Sequence, residues 1–543
     1  METTDLPLAE IDSPVLYEPN YDVANKRPPS ARTQAPRSSK QMKAPAAVPQ
    51  PHRQVAQLVP SCASSSGTRP APVPPYNATV VPRHNGSEMV ARSLAARPWW
   101  RETPAGESFD FWWSASAFDW TSFHSRSPHA PRALTNRIKG NSAIVNKDKL
   151  AVNLRKYVRA AKVDAATASS LLPLTFVVHV QLTDETQTAE SNELKPDFEL
   201  VAFREAAQAA RQRGEGSMWI CKSPPLNRGR GIYVFKTPRA VEQFLKKRAL
   251  ASRKNRTWVV QKYLETPLLL GGRKFDIRML VLVTADHRVY MYRDSYVRTA
   301  SSAYDASNTK DSAIHLVNDA VQSQGDEYGK FEDANKLSFD ELQALLDAQP
   351  LADGRVLSVM SDLWPAMKGA VSHVFSCAQH QHFVPTPPGA AMFELFGLDF
   401  MVDDAGRVSL LEVNSGPALC RHGRVLEKMI PRLIEEVVQL AVDPLFPPPE
   451  GAQPPTPLHR FELVDVPPSP LATGAACNLA KAASSAVIGA AAAAAAAANP
   501  AAGFGKVGTL PRMNAKMGSV GQRISGHLAE QRRRGTSTRL DEI

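Results

Sequence analysis

Residues 394–418 read ELFGLDFMVDDAGRVSLLEVNSGPA, and no other stretch constrains the fold of this chain as much. Phe396–Val402 is apolar and strand-like, Asp403, Asp404, Ala405 and Gly406 form a turn, and Arg407–Val413 is a second strand. The segment is therefore predicted to be a β-hairpin. Asp399 falls inside its first strand, while Glu412 and Asn414 close the second. Apolar strands do not carry carboxylates inward unless a charge meets them, because a buried unpaired carboxylate is prohibitively costly. Glu412 and Asn414 are two apart and share one face of their strand, and Asp399 can oppose them across the hairpin. Three hard oxygen-bearing side chains on one face suit a magnesium ion bridging nucleotide phosphates. A hairpin with a solvated polar face gives the same pattern.

At 543 residues the chain has room for about three domains. Met1–Pro75 is rich in Pro, Ser, Ala and Arg with little apolar periodicity, too little to offset its ordering entropy, and is predicted to be disordered. From Pro447 the chain turns Pro-rich, then Ala-rich with an unbroken alanine run at Ala490–Ala498, then basic. Alanine favours helix, but the run has almost no side chain to pack. No stretch has the length and hydrophobicity of a membrane span, and the acidic start METTDLPLAEIDSP is unlike a secretory signal. Cys62, Cys221, Cys377, Cys420 and Cys477 are scattered without C-x-x-C spacing, which argues for reduced thiols in a cytosolic protein and against a disulfide framework or zinc site. The net charge of +11 calls for an acidic partner or keeps the tails in solution. Stacking aromatics are missing near the basic runs, which speaks against nucleic acid.

Tyr76–Val81 reads as a strand and Ser87–Ala96 as a helix, followed by an aromatic cluster at Phe109–Trp113 and Phe118–Phe123. That cluster suits the core of a small α/β domain, with a docking surface as the alternative. Further elements are a basic helical stretch over Asn136–Arg159, a strand at Phe176–Val180, a loop at Thr183–Lys195, a helix at Ala202–Arg213 and a strand from Met218 to Cys221. Asp319–Gly354 reads as polar and partly helical, a surface excursion, and Arg424–Val442 as an amphipathic helix. Lys222 precedes a basic loop in which Gly229 and Gly231 let backbone N–H groups approach phosphate and Arg228 and Arg230 add charge; an ordinary hairpin tip has the same composition. In RKFDIR, Lys274, Asp276 and Arg278 alternate with Phe275 and Ile277, as they would in a surface strand. The MLVLV that follows argues instead for a strand built deeply into a sheet. With Arg298 on the next strand, Lys274, Arg278 and Arg298 would form a positive cluster opposite the hairpin.

Six ordered segments resemble the tubulin–tyrosine ligase family of ATP-grasp enzymes: WICKSPPLNRGRGIYV from Trp219, WVVQKYLETPLLLGGRKFDIRMLVLV from Trp258, YRDSYVRTAS from Tyr292, AIHLVN from Ala313, and the hairpin's DFMVD and LLEVN. The resemblance extends more weakly from about Tyr76 to about Phe446. It implies an α/β (α+β) ATP-grasp-type fold. A small N-terminal α/β domain (76–143), a central domain (144–258) and a C-terminal nucleotide and metal domain (259–446) would be flanked by disordered tails at 1–75 and 447–543. It implies ATP and Mg2+ as cofactors, the metal on Asp399, Glu412 and Asn414. Nucleotide would be bound by Lys147, Lys222, Arg228, Gly229, Gly231, Lys274, Asp276 and Asn318, and by the linker at Gln261, Lys262 and Leu264, largely through the backbone of the last two. Lys274, Arg278 and Arg298 would be catalytic, handling phosphates, the acceptor carboxylate and an acyl phosphate; guanidinium binds planar oxyanions bidentately. Tyr263 and His315 are expected to be packing and structural residues. Val317 stands where the family usually has threonine, and EVNSGPA departs from the founding ligase after Asn414. In layout the chain resembles that founding ligase, which implies tyrosine added to the C-terminus of α-tubulin. Polyglutamylating or polyglycylating relatives and a non-catalytic microtubule-binding protein are the alternatives. The expected partners are an acidic tubulin tail and a free amino acid, with neither nucleic acid nor membrane. The chain would act as a monomer in the cytoplasm on the cytoskeleton, including cilium, flagellum or basal body.

Overall fold

The computed structural model describes residues 74–472, apart from 83–84, 105–106, 115–119, 122, 124–132, 184–192, 225, 252–255 and 380–389. The expectations for residues 1–73, for Phe118, for most of the 183–195 loop and for the alanine run lie outside the described residues. The N-terminal sheet begins with β1 (Tyr76–Val80), β2 (Trp100–Glu102), β3 (Phe111–Trp113) and β4 (Ala133–Thr135). All its pairings are parallel, in the order β14-β4-β3-β1-β2, with β14 (Ala390–Met392) arriving from far along the chain. Its small domain is thus not contiguous in sequence. The expected aromatic cluster is core: Phe109, Trp112 and Phe123 are buried together.

A second, antiparallel sheet has the order β5-β8-β6-β7, from β5 (Thr175–His179), β6 (Trp219–Lys222), β7 (Ile232–Phe235) and β8 (Thr257–Lys262). Strand β8 crosses the boundary expected at 258/259. One face is covered by the helices Phe198–Gln212 and Pro238–Ala251, whose Phe203, Val241 and Leu245 join Phe176, Trp219 and Val260 in one core. The first of these helices starts four residues before the expected Ala202, because the Asp197 carboxylate accepts from the Leu200 N–H at 2.7 Å and caps it.

The third sheet, of eight strands, is built around β10 (Arg273–Val283), which is buried along its entire length. Its neighbours are β11 (Val289–Tyr292) and β12 (Tyr296–Ala303) on one edge and β9 (Leu269–Leu270) and β15 (Glu394–Val402) on the other. Strand β15 forms the expected hairpin with β16 (Val408–Ser415). Gly406 closes the turn at φ +79°, a left-handed conformation that glycine adopts without a Cβ penalty. Phe275, Ile277, Met279, Val281 and Val283 share a core with Val371, Val374 and Phe375 of the helix Trp364–Gln379. On the opposite face, Leu280 and Leu282 share a core with Leu426, Ile430, Leu433, Ile434 and Val437 of the predicted amphipathic helix, Arg424–Ala441. Helices on both faces are why this strand reads as a near-continuous apolar run after Arg278.

Two sequence expectations need correction here. The 319–354 segment is not a mere surface excursion. It adds β13 (Lys336–Ser338) beside β12 and a helix, Phe339–Asp347, that buries Phe339, Leu342 and Leu346. Nor is all of 447–543 outside the fold: β17 (Phe461–Val464) pairs with β11 and extends the sheet. Cys221 and Cys377 are buried free thiols and Cys420 is an exposed one, while Cys62 and Cys477 lie outside the described residues.

Arg97 ties the N-terminal sheet to the third one. Its side chain is fully buried, and its guanidinium donates to Asp443 (2.8 Å from both Nε and Nη2) and to Glu435 (2.8 Å). Arg97→Met would leave two part-buried carboxylates facing each other without a counter-charge. We expect a loss of about 3 kcal/mol in the free energy of urea unfolding, against less than about 0.5 kcal/mol for Arg92→Met, an exposed arginine on the helix Ser87–Ala95 that precedes Arg97.

Candidate functional site

Between the second and third sheets lies a cleft open to solvent. One wall is the uncovered face of β6–β8 and the linker after β8: Ile220, Lys222, Ile232, Gln261, Lys262, Tyr263 and Leu264. The facing wall is the polar end of β10 with its neighbours: Lys274, Asp276, Arg298, Asp399, Met401, Leu411 and Glu412. His315, Leu316, Val317 and Asn318 close one side.

On the β10 wall four charges interleave. Asp276 stands opposite Arg298 in the β10–β12 register, and Arg278 opposite Asp399 in the β10–β15 register. The Arg298 guanidinium donates to Asp276 at 2.7 and 2.5 Å and reaches Asp399 at 2.9 Å; Arg278 donates to Asp399 at 2.5 and 3.0 Å. Burial opposes ionisation of Asp399, but the two guanidiniums outweigh it and hold its carboxyl below the usual carboxylate range. The positive cluster expected at Lys274, Arg278 and Arg298 is therefore corrected. Both arginines are neutralised by aspartates, although each keeps its Nη1 outside these pairs.

The uncompensated charge sits on two lysines. Lys222 is buried and donates to Gln261 Oε1 at 2.7 Å; Lys274 is buried and donates to the Tyr263 hydroxyl at 2.8 Å. Neither pairs with a described carboxylate. Burial pushes Lys222 down to about 8 and Lys274 down to about 7, with Glu412 and Asp276 respectively pulling the other way. Two buried ammonium groups facing one cleft form an incomplete site, which a polyanion would complete.

Asp399 and Glu412 face each other across the hairpin in register, and the Asn414 side-chain amide lies 3.3 and 3.2 Å from them, so the geometry joins the three residues as the sequence implies. Among the described residues no three His, Cys, Asp or Glu side chains cluster as a metal site. Two carboxylates and an amide are nonetheless a hard-oxygen set that fits magnesium, which keeps water and phosphate oxygens as its other ligands.

A shift of register after Asp399 pairs Phe400 with Leu410, so Leu411 is an extra residue and takes its place in the cleft wall. Lys147 is 3.1 Å from Glu412 Oε2 and donates to the Leu226 carbonyl at 2.9 Å, linking hairpin to basic loop. In that loop Arg228, Gly229 and Gly231 all have positive φ, and the tip packs on the 316–321 segment, where a Cβ on Gly229 would come within 2.7 Å of Val321. None of these three lines the cleft, nor do Lys147, Arg278 and Asn414. The Lys262 N–H donates to the Leu174 carbonyl at 2.8 Å, so it is not free for a base.

Sequence reasoning missed the apolar walls, namely Pro173, Ile220, Ile232, Met401 and Leu411. The alternation of buried and cleft-facing residues in β6 carried the signal for Ile220, but the extra residue at Leu411 left none. Tyr263 and His315, expected to be packing and structural residues, are also in the wall and are hydrogen-bonded at 2.7 Å.

The cleft is thus clasped between two sheets, with buried lysines on both walls and a carboxylate hairpin beside them. The tubulin-tyrosine ligase family model matches residues 126–450, more than half of the chain, and the chain belongs to this family, with its ATP-grasp-type fold. It is similar to Tubulin glycylase 3C of Tetrahymena thermophila (31% identity over 42% of this chain and 21% of the relative) and to Protein monoglycylase TTLL8 of Homo sapiens (34%, over 42% and 27%). It is also similar to a probable tubulin polyglutamylase, TTLL2, of Mus musculus (28%, over 62% and 55%). The chain thus spans from about a fifth to about half the length of these relatives.

The lysines make a pH prediction. Their folded pKa values lie below the ordinary 10.5, so between about pH 7 and 10.5 the unfolded chain binds more protons. Their contribution to the stability of the ligand-free protein must then rise with pH through that window. Lys274→Met should stabilise the ligand-free protein at pH 7, on the order of 2–4 kcal/mol, with the gain shrinking toward pH 10. Thermal unfolding of both proteins across that pH range checks it.

Proposed function

We propose that this chain is an ATP- and magnesium-dependent ligase that joins glycine to a carboxylate of tubulin. The observation that carries the reading is the pair of buried, uncompensated lysines, Lys222 and Lys274, facing the same cleft as Asp399 and Glu412. A triphosphate supplies the missing negative charge. Magnesium held by Asp399, Glu412 and Asn414 would neutralise charge on phosphate oxygens. The base lies between Ile220 and Ile232 on one side and Met401 and Leu411 on the other. With the Lys262 N–H engaged, the Lys262 carbonyl and the Leu264 N–H are the acceptor and donor the linker offers to it.

The acceptor carboxylate attacks the γ-phosphorus and ADP leaves, giving an acyl phosphate. The donor amine then attacks the acyl carbon, phosphate leaves and the amine loses a proton to solvent. Arg278 and Arg298, oriented by their aspartates, offer their free Nη1 groups to these oxyanions. Asn318 and the loop at Arg228, Gly229 and Gly231 cover the phosphates, with Lys147 anchoring that loop.

Tubulin as acceptor is supported by the names of the relatives, and glycine by the glycylases among them at 30% identity or more. The second reading is glutamate, favoured by the 28% identity to a probable tubulin polyglutamylase over 349 residues, although a polyglycylase of Rattus norvegicus aligns over 378 at 25%. The tyrosine donor expected from layout finds no support among these relatives.

Purified protein, ATP, magnesium and tubulin, incubated separately with labelled glycine, glutamate or tyrosine, should place glycine on glutamates of the tubulin tails by mass spectrometry. Glutamate label there would establish the second reading, and tyrosine at the α-tubulin C-terminus the original expectation. No label from any donor with ATP still bound would mark a non-catalytic member; a human relative, 29% identical, is itself named an inactive polyglycylase. Glu412→Gln should lower ligation at least tenfold, or about 1.4 kcal/mol of barrier, by removing one charge from the metal's shell.

A further inference from the structure

We propose that Tyr263 and His315 are positioning residues that hold the Lys274 ammonium in place for the polyphosphate, through a hydrogen-bond relay of fixed direction. The inference rests on the nucleotide-binding reading above. Three separate segments converge to make the relay: the linker after β8, strand β10 and the short helix Ser312–His315. His315 Nε2 lies 2.8 Å from the backbone carbonyl oxygen of Asn308. A carbonyl only accepts, so Nε2 carries the proton. Burial disfavours the imidazolium, which leaves Nδ1 with a lone pair. Tyr263 Oη is 2.7 Å from that Nδ1, a stronger acceptor than the neighbouring Tyr304 hydroxyl, whose own proton goes to the Glu265 carbonyl at 3.0 Å, so the Tyr263 proton points to His315. Its oxygen can then meet Lys274 Nζ, at 2.8 Å, only as an acceptor. Each step is determined by the one before it, and the chain ends on an ammonium group in the cleft wall.

The arrangement also accounts for why Lys274 does not swing away. Tyr263, Tyr304 and His315 surround it on one side, with Nζ 4.4 and 5.5 Å from the two tyrosine ring centroids. The charged groups facing it from the other packed elements are Asp276 on its own strand, Arg298 on β12 and Lys222 on β6. Asp276 is taken by Arg298, so the Tyr263 oxygen is the acceptor left to orient the lysine. Protonating His315 would reverse the relay: an Nδ1–H would point at the tyrosine oxygen, and a second positive charge would stand beside the lysine.

The test is the affinity of the full-length chain for the fluorescent nucleotide mant-ATP, titrated from pH 5.5 to 8.5. Binding by the wild type should strengthen from pH 8.5 to about 7 as Lys222 and Lys274 gain their protons, then weaken below that as His315 takes up a proton. Tyr263→Phe keeps the ring and removes the acceptor, and should weaken binding at pH 7.5 roughly tenfold or more. His315→Gln can donate to Asn308 and accept from Tyr263 without titrating. It should bind within about threefold of wild type and lose the His315-dependent part of the acid limb, whereas His315→Leu should resemble Tyr263→Phe. Near-ultraviolet circular dichroism of each variant establishes that it is folded. Equal weakening by His315→Gln and His315→Leu, or a folded Tyr263→Phe within twofold of wild type, would overturn the relay. A wild-type chain that does not bind mant-ATP would overturn the nucleotide-binding reading itself.

Discussion

The four interleaved charges Asp276, Arg298, Arg278 and Asp399 are the constraint on which the rest of the site depends. They occupy three adjacent strands at buried positions, where an unpaired charge costs several kcal/mol. Pairing is satisfied in one register only. A slip of β12 or β15 by one residue along β10 would set carboxylate and guanidinium against Phe275 or Ile277 and reverse both faces of the strand. The network is weak evidence for net stability, but it specifies alignment. That alignment fixes where Glu412 and Asn414 stand, because β16 takes its register from β15.

Neutralising the arginines has a second consequence, for how charge is distributed. The sheet wall presents planar donors already oriented by aspartates, while the positive charge without a carboxylate partner at the cleft sits on two lysines that come from different sheets, Lys222 on β6 and Lys274 on β10. A polyanion bound between them bridges the two sheets. Lys147 adds a contact of the same kind, since its ammonium joins the hairpin's Glu412 to the loop carrying Gly229 and Gly231.

The hairpin was legible because its information is local: a turn at Asp403–Gly406 and polar residues two apart settle which side chains share a face. The direction of β10 was legible too, from the apolar run after Arg278. Its polar half was ambiguous because alternation alone cannot tell solvent from a cleft, and the partners of Arg278 and Arg298 lie on strands distant in sequence. Tyr263 packs in a core with Met218 and Ile220 as expected, but the use of its hydroxyl was hidden for the same reason. Its hydroxyl is used by a residue on another strand and by a histidine more than 40 positions away, and nothing adjacent to it announces this. The helix after Lys336 was legible as the helical part of its segment, since Phe339, Leu342 and Leu346 recur at helical spacing, whereas the three-residue strand before it is too short to carry a period. Phe461–Val464 is short and its neighbours are proline-rich, so a strand there depends on the edge that β11 offers.

The lysines also bear on whether such a chain binds nucleotide at all. A fold in this family can persist without activity, as the name of one relative states, so the architecture alone does not imply chemistry. Buried charges without partners are different, because in the ligand-free protein they are a cost. Any chain that no longer bound a polyanion could replace Lys222 or Lys274 by methionine of similar volume and gain stability. The relay from Asn308 through His315 and Tyr263 to Lys274 would likewise have no purpose in a closed apolar core, where each polar atom needs its own partner. Keeping both lysines, one of them oriented by a relay of its own, is what a protein does when the compensating charge arrives with its ligand.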